Sequence, residues 1–381
     1  MKIYILTYSN RTFFSHDKRV SGIDVAAYTQ FKILKELGHD VRMFCAQTDL
    51  DQHEDGIDYF INYRETDTKS YARKNKKNIE KKIIESIYNF KPDLIMTNYE
   101  FSKFYKKLSD LKIPITYVLH AMPGFWTDFL NANLLNELTT GGHTFCCVSD
   151  YHKRGTIKYY KSKRKDWNFD EIIPDQIFYP QYCDAEEINE PENIVRHVSA
   201  ASKGKDTFLI NKFLDGTNIQ AETFTTLGHQ SKDQYDDYVT DALEKYSKDI
   251  RIDVPHAEIM QKIGKAGVAF VGNYPDTFTI TSLEALSRGV PLILKDKSGH
   301  PATEMVEPEF LKYLGLIKTK SQFLEKVDEL MNIPMDERKK LAESVHRKMG
   351  KDNYKIMIQN ILNSTIKKFN NTNRTDSVEE W

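Results

Sequence analysis

The stretch Tyr274-Pro-Asp-Thr-Phe-Thr-Ile-Thr-Ser-Leu-Glu-Ala-Leu-Ser-Arg-Gly-Val-Pro291 decides the reading of this chain. The apolar run Val268-Ala-Phe-Val271 before it predicts a buried strand. A short hydroxyl-rich turn follows, then an apolar helix that should stop at Gly289. Strand, turn and helix in that order bring backbone N–H groups to a helix N-terminus, a place suited to anions. Asp276 and Glu284 are eight positions apart across the turn. Glu284 lies in the first turns of the helix, where it could accept hydroxyls of a ligand whose phosphates sit at the turn. An α/β protein with two incidental acids is the plainer alternative.

Outward from this stretch the chain alternates strand and helix, the pattern of parallel sheets. Strands are expected at Lys2–Thr7, Asp40–Ala46, Asp93–Thr97, Ile115–Leu119 and Phe145–Val148. Helices are expected at Ile23–Leu37, Asn75–Phe90 and near Phe101–Leu111. An acidic, proline-bearing stretch, Pro180 to Pro191, reads as a linker. Beyond it come strands at Ile194–Ser199, Ala221–Leu227, Ile250–Asp253, Val268–Val271 and Pro291–Leu294. Helices are expected at Thr207–Leu214, Gln234–Tyr246 and His256–Ala266, then late ones at Ser321–Met331, Met335–Met349 and Tyr354–Phe369. The expected fold is α/β, with two Rossmann-like doubly wound domains facing a cleft. The boundaries are 1–183, with helix 352–370 packing back on it, 190–350, and a polar, mobile tail over 371–381.

Composition narrows the function classes. The 381 residues are 40% hydrophobic and 29% charged with a net charge of −1, as in a soluble globular protein. No apolar run approaches the ~18 residues of a membrane span. Met1-Lys-Ile-Tyr-Ile-Leu6 reads as a strand and not a secretory leader, so the expected location is cytoplasmic. Cys45, Cys146, Cys147 and Cys183 lack metal-ligand spacing and read as buried thiols. Asp49-Leu-Asp51 has the spacing of an acidic metal motif but sits in a polar loop, so no metal and no cofactor is expected. No repeat period suggests a solenoid.

The paired-acid stretch resembles that of retaining GT-B glycosyltransferases, in the large family called glycosyltransferase family 4. Pro275, Phe278, Ile280, Ala285, Gly289 and Pro291 fall where that pattern has such residues. Asp276 replaces the family's first Glu, and Thr277 and Thr279 replace its small glycines. The resemblance implies a nucleotide-sugar donor in the second domain, with UDP as its nucleotide. It implies that Phe278, Thr279, Ile280, Thr281 and Glu284 line that donor site. Asp276 would face the sugar and Glu284 the ribose.

Ser202-Lys-Gly-Lys-Asp206 looks like the family's Lys-Gly element, which places Lys203 on the donor diphosphate. A solvated loop lysine is the alternative. The family's second arginine is absent, since position 198 is Val; Arg196 or Lys205 would have to replace it. Gly22, opening a helix, matches a glycine that approaches the phosphates, or is an ordinary helix start. His120 ends a strand and matches a family histidine on the transferred sugar, although a lone histidine is often structural. Asp150 and Asp128 are weaker candidates. A retaining mechanism also follows from the resemblance.

Acceptors of such enzymes dock on the first domain, where Arg11, Lys18, Arg19, Lys161 and Arg164 belong to basic, aromatic-rich segments. Tyr151 to Lys165 holds seven Lys/Arg and no acid. Lys/Arg patches neutralise phosphates and aromatic rings stack on bases. This resembles bacteriophage DNA glycosyltransferases acting on 5-hydroxymethylated pyrimidines, in a host cytoplasm. A solvated lysine face is the plainer alternative, and peripheral contact with an anionic membrane during envelope-glycan synthesis is another. UDP-sugar epimerases share the architecture and form a third alternative, but they need no acceptor site.

Overall fold

The computed structural model describes residues 1–10, 22–48, 55–62, 76–98, 102–120, 132–163, 177–201, 203–226, 237–272, 277–295 and 300–375. The chain forms two compact units, Met1–Gln181 with Tyr354–Trp381, and Tyr182–Asn353.

In the first unit the strands are β1 (Lys2–Asn10), β2 (Asp40–Thr48), β3 (Ile57–Asn62), β4 (Leu94–Thr97), β5 (Ile115–Leu119) and β6 (Thr144–Cys147). They run in the order β3-β2-β1-β4-β5-β6, and every pairing is parallel. Helices α1 (Gly22–Glu36), α2 (Lys76–Phe90), α3 (Ser102–Ser109), α4 (Ala132–Thr140) and α5 (Asp150–Lys163) supply crossovers. Strands β4, β5 and β6 are buried along their whole length, because helices on both faces leave no wet side. Their core is aromatic: Tyr117 stacks on Phe145 at 4.7 Å and meets Tyr105 edge-on at 4.6 Å.

The C-terminal helix packs on this unit. Thr365 and Thr116 hydroxyls meet at 2.9 Å in the interior, and Lys368 donates to the His143 carbonyl at 2.9 Å. This helix runs from Lys351 to Thr375, so the first residues of the expected tail are helical.

In the second unit the strands are β7 (Glu192–Ala200), β8 (Gln220–Thr226), β9 (Ile250–Ile252), β10 (Ala266–Val271), β11 (Leu292–Lys295) and β12 (Leu314–Ile317). The order β12-β11-β10-β7-β8-β9, all parallel, repeats the spatial order of the first sheet. Helices α6 (Leu209–Leu214), α7 (Asp237–Lys245), α8 (His256–Gly264), α9 (Ile280–Leu286), α10 (Lys320–Met331) and α11 (Met335–Met349) belong here, and α12 is the C-terminal helix. In each sheet the strand order reverses between its first and fourth strands, and ligands of open α/β sheets bind at the carboxyl ends there.

Two doubly wound units were the expected class. Each sheet has one more strand than was read from the sequence, and both extra strands, β3 and β12, are edges. The basic run after Ser149 forms helix α5, Asp150–Lys163. His152, Thr156 and Tyr160, at four-residue spacing, bury one face of it and leave the cations on the other.

Candidate functional site

At the reversal point of the second sheet, β7 ends at Ala200 and the chain turns back through one 3-10 turn, Lys203–Lys205. The Thr207 hydroxyl donates to the Ala200 carbonyl at 2.7 Å and closes the turn. Asp206 takes the left-handed backbone, φ 53°. Gly272, just past β10, explains how close this turn comes. A Cβ there would lie 2.9 Å from both Asp206 Cβ and the Lys205 carbonyl oxygen, so only glycine permits the approach. Lys295, at the end of β11, reaches the same turn, with Nζ 2.7 Å from Asp206 Oδ1. Lys203 is exposed; its carbonyl accepts from the Asp206 N–H at 3.1 Å, and its ammonium has no hydrogen-bond or ion-pair partner among the described residues. The turn thus carries Lys203 and Lys205 and is joined by Lys295, while one carboxylate partly offsets that charge.

The chain that passes Gly272 runs into the stretch quoted at the outset. Asp276 lies outside the described residues. Thr277 and Phe278 are partly exposed, and Thr279 is buried at the N-cap of α9 without a side-chain capping bond. The hydroxyls of Thr279 and Ser282 are buried and lack a protein hydrogen-bond partner among the described residues. Two buried hydroxyls without a protein partner thus lie close together, at the N-cap and in the first turn of one short helix. Leu283, Ala285 and Leu286 face the core, while Ile280, Thr281 and Glu284 stay partly exposed. The helix closes as expected, with N–H groups of Gly289 and Val290 donating to Leu286 and Ala285 carbonyls. The Glu284 carboxylate, 14% exposed, accepts from His256 Nε2 at 2.8 Å. The Arg288 guanidinium bonds the Glu284 carbonyl at 2.9 Å and Glu186 at 2.8 Å.

Arg196 is held inside the second unit. It is 2% exposed, and its guanidinium is consumed by Glu222 at 2.8 Å, Glu192 at 2.5 Å and the Lys262 carbonyl at 2.6 Å. A cation surrounded this way is an internal cross-link between β7 and its neighbours. Three of its five N–H donors are taken by these partners, and the cations near the turn are lysines. Next to it, His197 Nδ1 donates to the Phe270 carbonyl at 2.7 Å, and burial pushes the ring down to about 4, so it is neutral at pH 7.

The first unit has its own polar cluster at the reversal of its sheet. Asn98 follows β4 and His120 follows β5. Asn98 Oδ1 accepts from His120 Nε2 at 2.7 Å and from Gln30 Nε2 at 3.1 Å, while Asn98 Nδ2 donates to Gln30 Oε1 at 2.7 Å. An amide oxygen can only accept, so His120 carries its proton on Nε2. Burial, with His152 nearby, pushes its pKa down to about 3, which keeps the ring neutral. Sequence reasoning missed Gln30 and Asn98. The available signal was Gln30 as a lone amide within the apolar face of α1.

Gly22 is the exposed first residue of α1. Lys161 is exposed on α5, and Lys163 lies over the Tyr159 ring at 5.5 Å. Asp150 pairs with Arg154 on the same helix. Arg11, Lys18, Arg19, Arg164, Asp128 and the Asp49–Asp51 pair lie outside the described residues. The four cysteines are free and buried, and burial pushes Cys147 and Cys183 up to about 12, far from reactive thiolates. Among the described residues no group of three or more His, Cys, Asp or Glu is placed to share a metal ion. None of their helices is long and apolar enough to cross a membrane.

Two doubly wound units with this strand order define the GT-B fold of glycosyltransferases, and solved structures of that class match along nearly the whole chain. Sucrose-phosphate synthase from Thermosynechococcus elongatus matches with a TM-score of 0.66 at 12% identity, covering 95% of this chain and 98% of that one. Anabaena Alr3699/HepE in complex with UDP and glucose matches with a TM-score of 0.66 at 15% identity, covering 96% and 100%. The pneumococcal O-GlcNAc transferase GtfA in complex with UDP and GlcNAc matches with a TM-score of 0.65 at 10% identity, covering 96% and 99%. At these identities the likeness establishes the fold. No protein-family model matches the sequence, and no curated protein sequence matches it.

Proposed function

We propose that this chain is a glycosyltransferase that moves a sugar from a nucleoside-diphosphate sugar to an acceptor hydroxyl. The observation that carries the reading is the meeting, at the reversal point of the second sheet, of the Lys203 turn with the end of β10 that leads into residues 277–284. A cationic turn beside a segment of orphaned hydroxyls and a carboxylate suits a ligand that is phosphate at one end and diol at the other. The UDP held in the HepE and GtfA structures favours UDP as the nucleotide.

In this reading Lys203 meets the diphosphate and stabilises the charge it gains as it leaves. Glu284 accepts the ribose hydroxyls. Phe278, Thr279, Ile280 and Thr281 line the donor, and Asp276 orients the transferred sugar. Transfer proceeds with retention. The acceptor oxygen attacks the anomeric carbon on the face the diphosphate leaves, the old carbon–oxygen bond breaks, and the acceptor proton passes to the departing phosphate. The lysines meet the diphosphate charge, so turnover should persist in a metal chelator.

For the acceptor, the exposed cations of α5, with Lys161 among them, support a polyanion; a 5-hydroxymethylated pyrimidine in DNA is the reading adopted. Arg11, Lys18, Arg19 and Arg164 belong to the same proposal. The test is incubation with a mixture of UDP-sugars and hydroxymethylated DNA, followed by mass spectrometry of the nucleosides. A hexose or pentose added to a pyrimidine supports it. Transfer only to an anionic glycan or glycolipid moves the acceptor to the envelope. Epimerised sugar without acceptor identifies an epimerase, and absence of nucleotide-sugar binding overturns the whole reading.

A further inference from the structure

The Glu284 carboxylate is held from outside its own helix. His256 is the first residue of α8, directly after Pro255, and its ring reaches across to α9. A carboxylate has no proton to give at neutral pH, so the 2.8 Å contact has His256 Nε2–H donating to Glu284 Oε1. The backbone of Glu284 is fixed separately, through its carbonyl, by Arg288. The side chain is therefore set at both ends, and a free glutamate side chain would otherwise sample several rotamers.

The pair is a poor candidate for a purely structural tie. His256 is 33% exposed and Glu284 14%, and a contact that solvent reaches from the histidine side adds little to stability. The geometry does suit a ligand. One hydrogen bond to Oε1 leaves the carboxylate most of its acceptor capacity, enough for two O–H donors of a vicinal diol. Orienting an acceptor before the ligand arrives removes a cost of binding.

We propose that His256 is a positioning residue that aims the Glu284 carboxylate at the 2′- and 3′-hydroxyls of a nucleoside diphosphate, so that the site selects ribonucleotides over 2′-deoxyribonucleotides. The inference rests on the donor site described under the proposed function. It adds a residue that acts on the ligand through Glu284, and makes the ribose preference depend on that residue. A site built to bond a hydroxyl rejects the analogue that lacks it, because its polar group is then left unpaired.

The experiment is calorimetric titration of the full chain with UDP and with 2′-deoxy-UDP. The native chain should prefer UDP by about tenfold, the equivalent of one hydrogen bond to a charged group. His256→Leu and His256→Asn should lose most of that preference through weaker UDP binding, with 2′-deoxy-UDP binding little changed. An Asn amide reaches only as far as Nδ1 does. His256→Gln puts an amide nitrogen where Nε2 was and should restore the preference. With UDP-sugar as donor, the Leu variant should raise KM more than it lowers kcat. If Glu284→Gln leaves the preference intact, the ribose role of Glu284 fails, and the donor site with it. If Glu284→Gln abolishes the preference while His256→Leu and His256→Asn keep it, the positioning role is overturned and the donor site stands.

Discussion

Lys295 Nζ lies 2.7 Å from Asp206 Oδ1, tying the end of β11 to the turn that carries Lys203. The pair is partly exposed, 40% for the lysine and 22% for the aspartate, so by itself it adds at most about 1 kcal/mol. Its effect should therefore appear in ligand binding more than in stability. Lys203→Ala should change unfolding free energy by less than about 0.5 kcal/mol, as at an exposed position. It should lower turnover by about a hundredfold, as loss of a group that stabilises developing charge does. Lys295→Met should weaken UDP binding and leave uridine binding unchanged, because uridine lacks the phosphates. Urea melts and calorimetry with both ligands check this; equal loss for UDP and uridine would count against a phosphate site at this turn.

Arg196 is the contrasting cation. Arg196→Met leaves Glu222, 12% exposed, with only Arg251, a half-exposed cation 3.5 Å from its other oxygen. Breaking a buried pair from one side costs about 3–5 kcal/mol, and Arg251 should offset part of that. Lysine should not rescue it, since one ammonium cannot reach Glu222, Glu192 and the Lys262 carbonyl in the guanidinium geometry. UDP affinity per folded molecule should stay at the native value. Denaturant melts give the first quantity and titration of the folded fraction the second; a selective loss of UDP binding would return Arg196 to the donor site.

The contrast shows which parts of the molecule were legible before folding. Interior strands such as Leu94–Thr97 are buried on both faces, so they are apolar runs that any reading finds. The edges hide. β3 is a six-residue run that holds Asp58 and ends at Asn62, and β12 contains Gly315 and a half-exposed Leu316. Lys203 and Glu284 could be proposed from sequence because each belongs to a short local pattern. His256 and Lys295 are not, because their partners lie 28 and 89 residues away in sequence. Arg196 misleads for a related reason. Strand periodicity predicts which face a residue takes, but not that Glu222, 26 residues on, waits there.

Acidification should weaken the fold well before its exposed carboxylates titrate. Burial lowers His197 and His143 to about 4, and His120 to about 3. The unfolded chain holds these protons below about pH 6.5, while the folded chain refuses them until far lower pH. The unfolded state then binds more protons, so stability rises with pH across this window and is lost as pH falls from about 6.5 toward 4. Each of the deeply buried pair, His197 and His143, adds a slope approaching about 1.4 kcal/mol per pH unit at the acid end. Urea melts from pH 7.5 to 4.5 measure this, and a flat midpoint across that range would contradict the buried neutral rings. The same neutrality predicts that no limb near pH 6.5 in the kcat profile disappears in His120→Gln.

The acceptor proposal makes the last prediction. On α5 the buried face of His152, Thr156 and Tyr160 leaves Lys158, Lys161 and Lys163 exposed. If this face holds a DNA backbone, binding depends on counterion release, and each phosphate neutralised adds about 0.9 to the slope of log affinity against log salt. Replacing Lys158, Lys161 and Lys163 by glutamine together should flatten that slope by up to about 2.7 on this scale. The substitutions keep a polar, helix-compatible side chain on an exposed helical face, so stability should shift by less than about 1 kcal/mol, and UDP affinity should not change. The measurement is fluorescence anisotropy of a hydroxymethylated duplex over a salt series. A native slope near zero, or a slope the triple variant leaves unchanged, removes DNA from this face. Retained sugar transfer to an anionic glycan in the native chain would then assign the acceptor to the envelope.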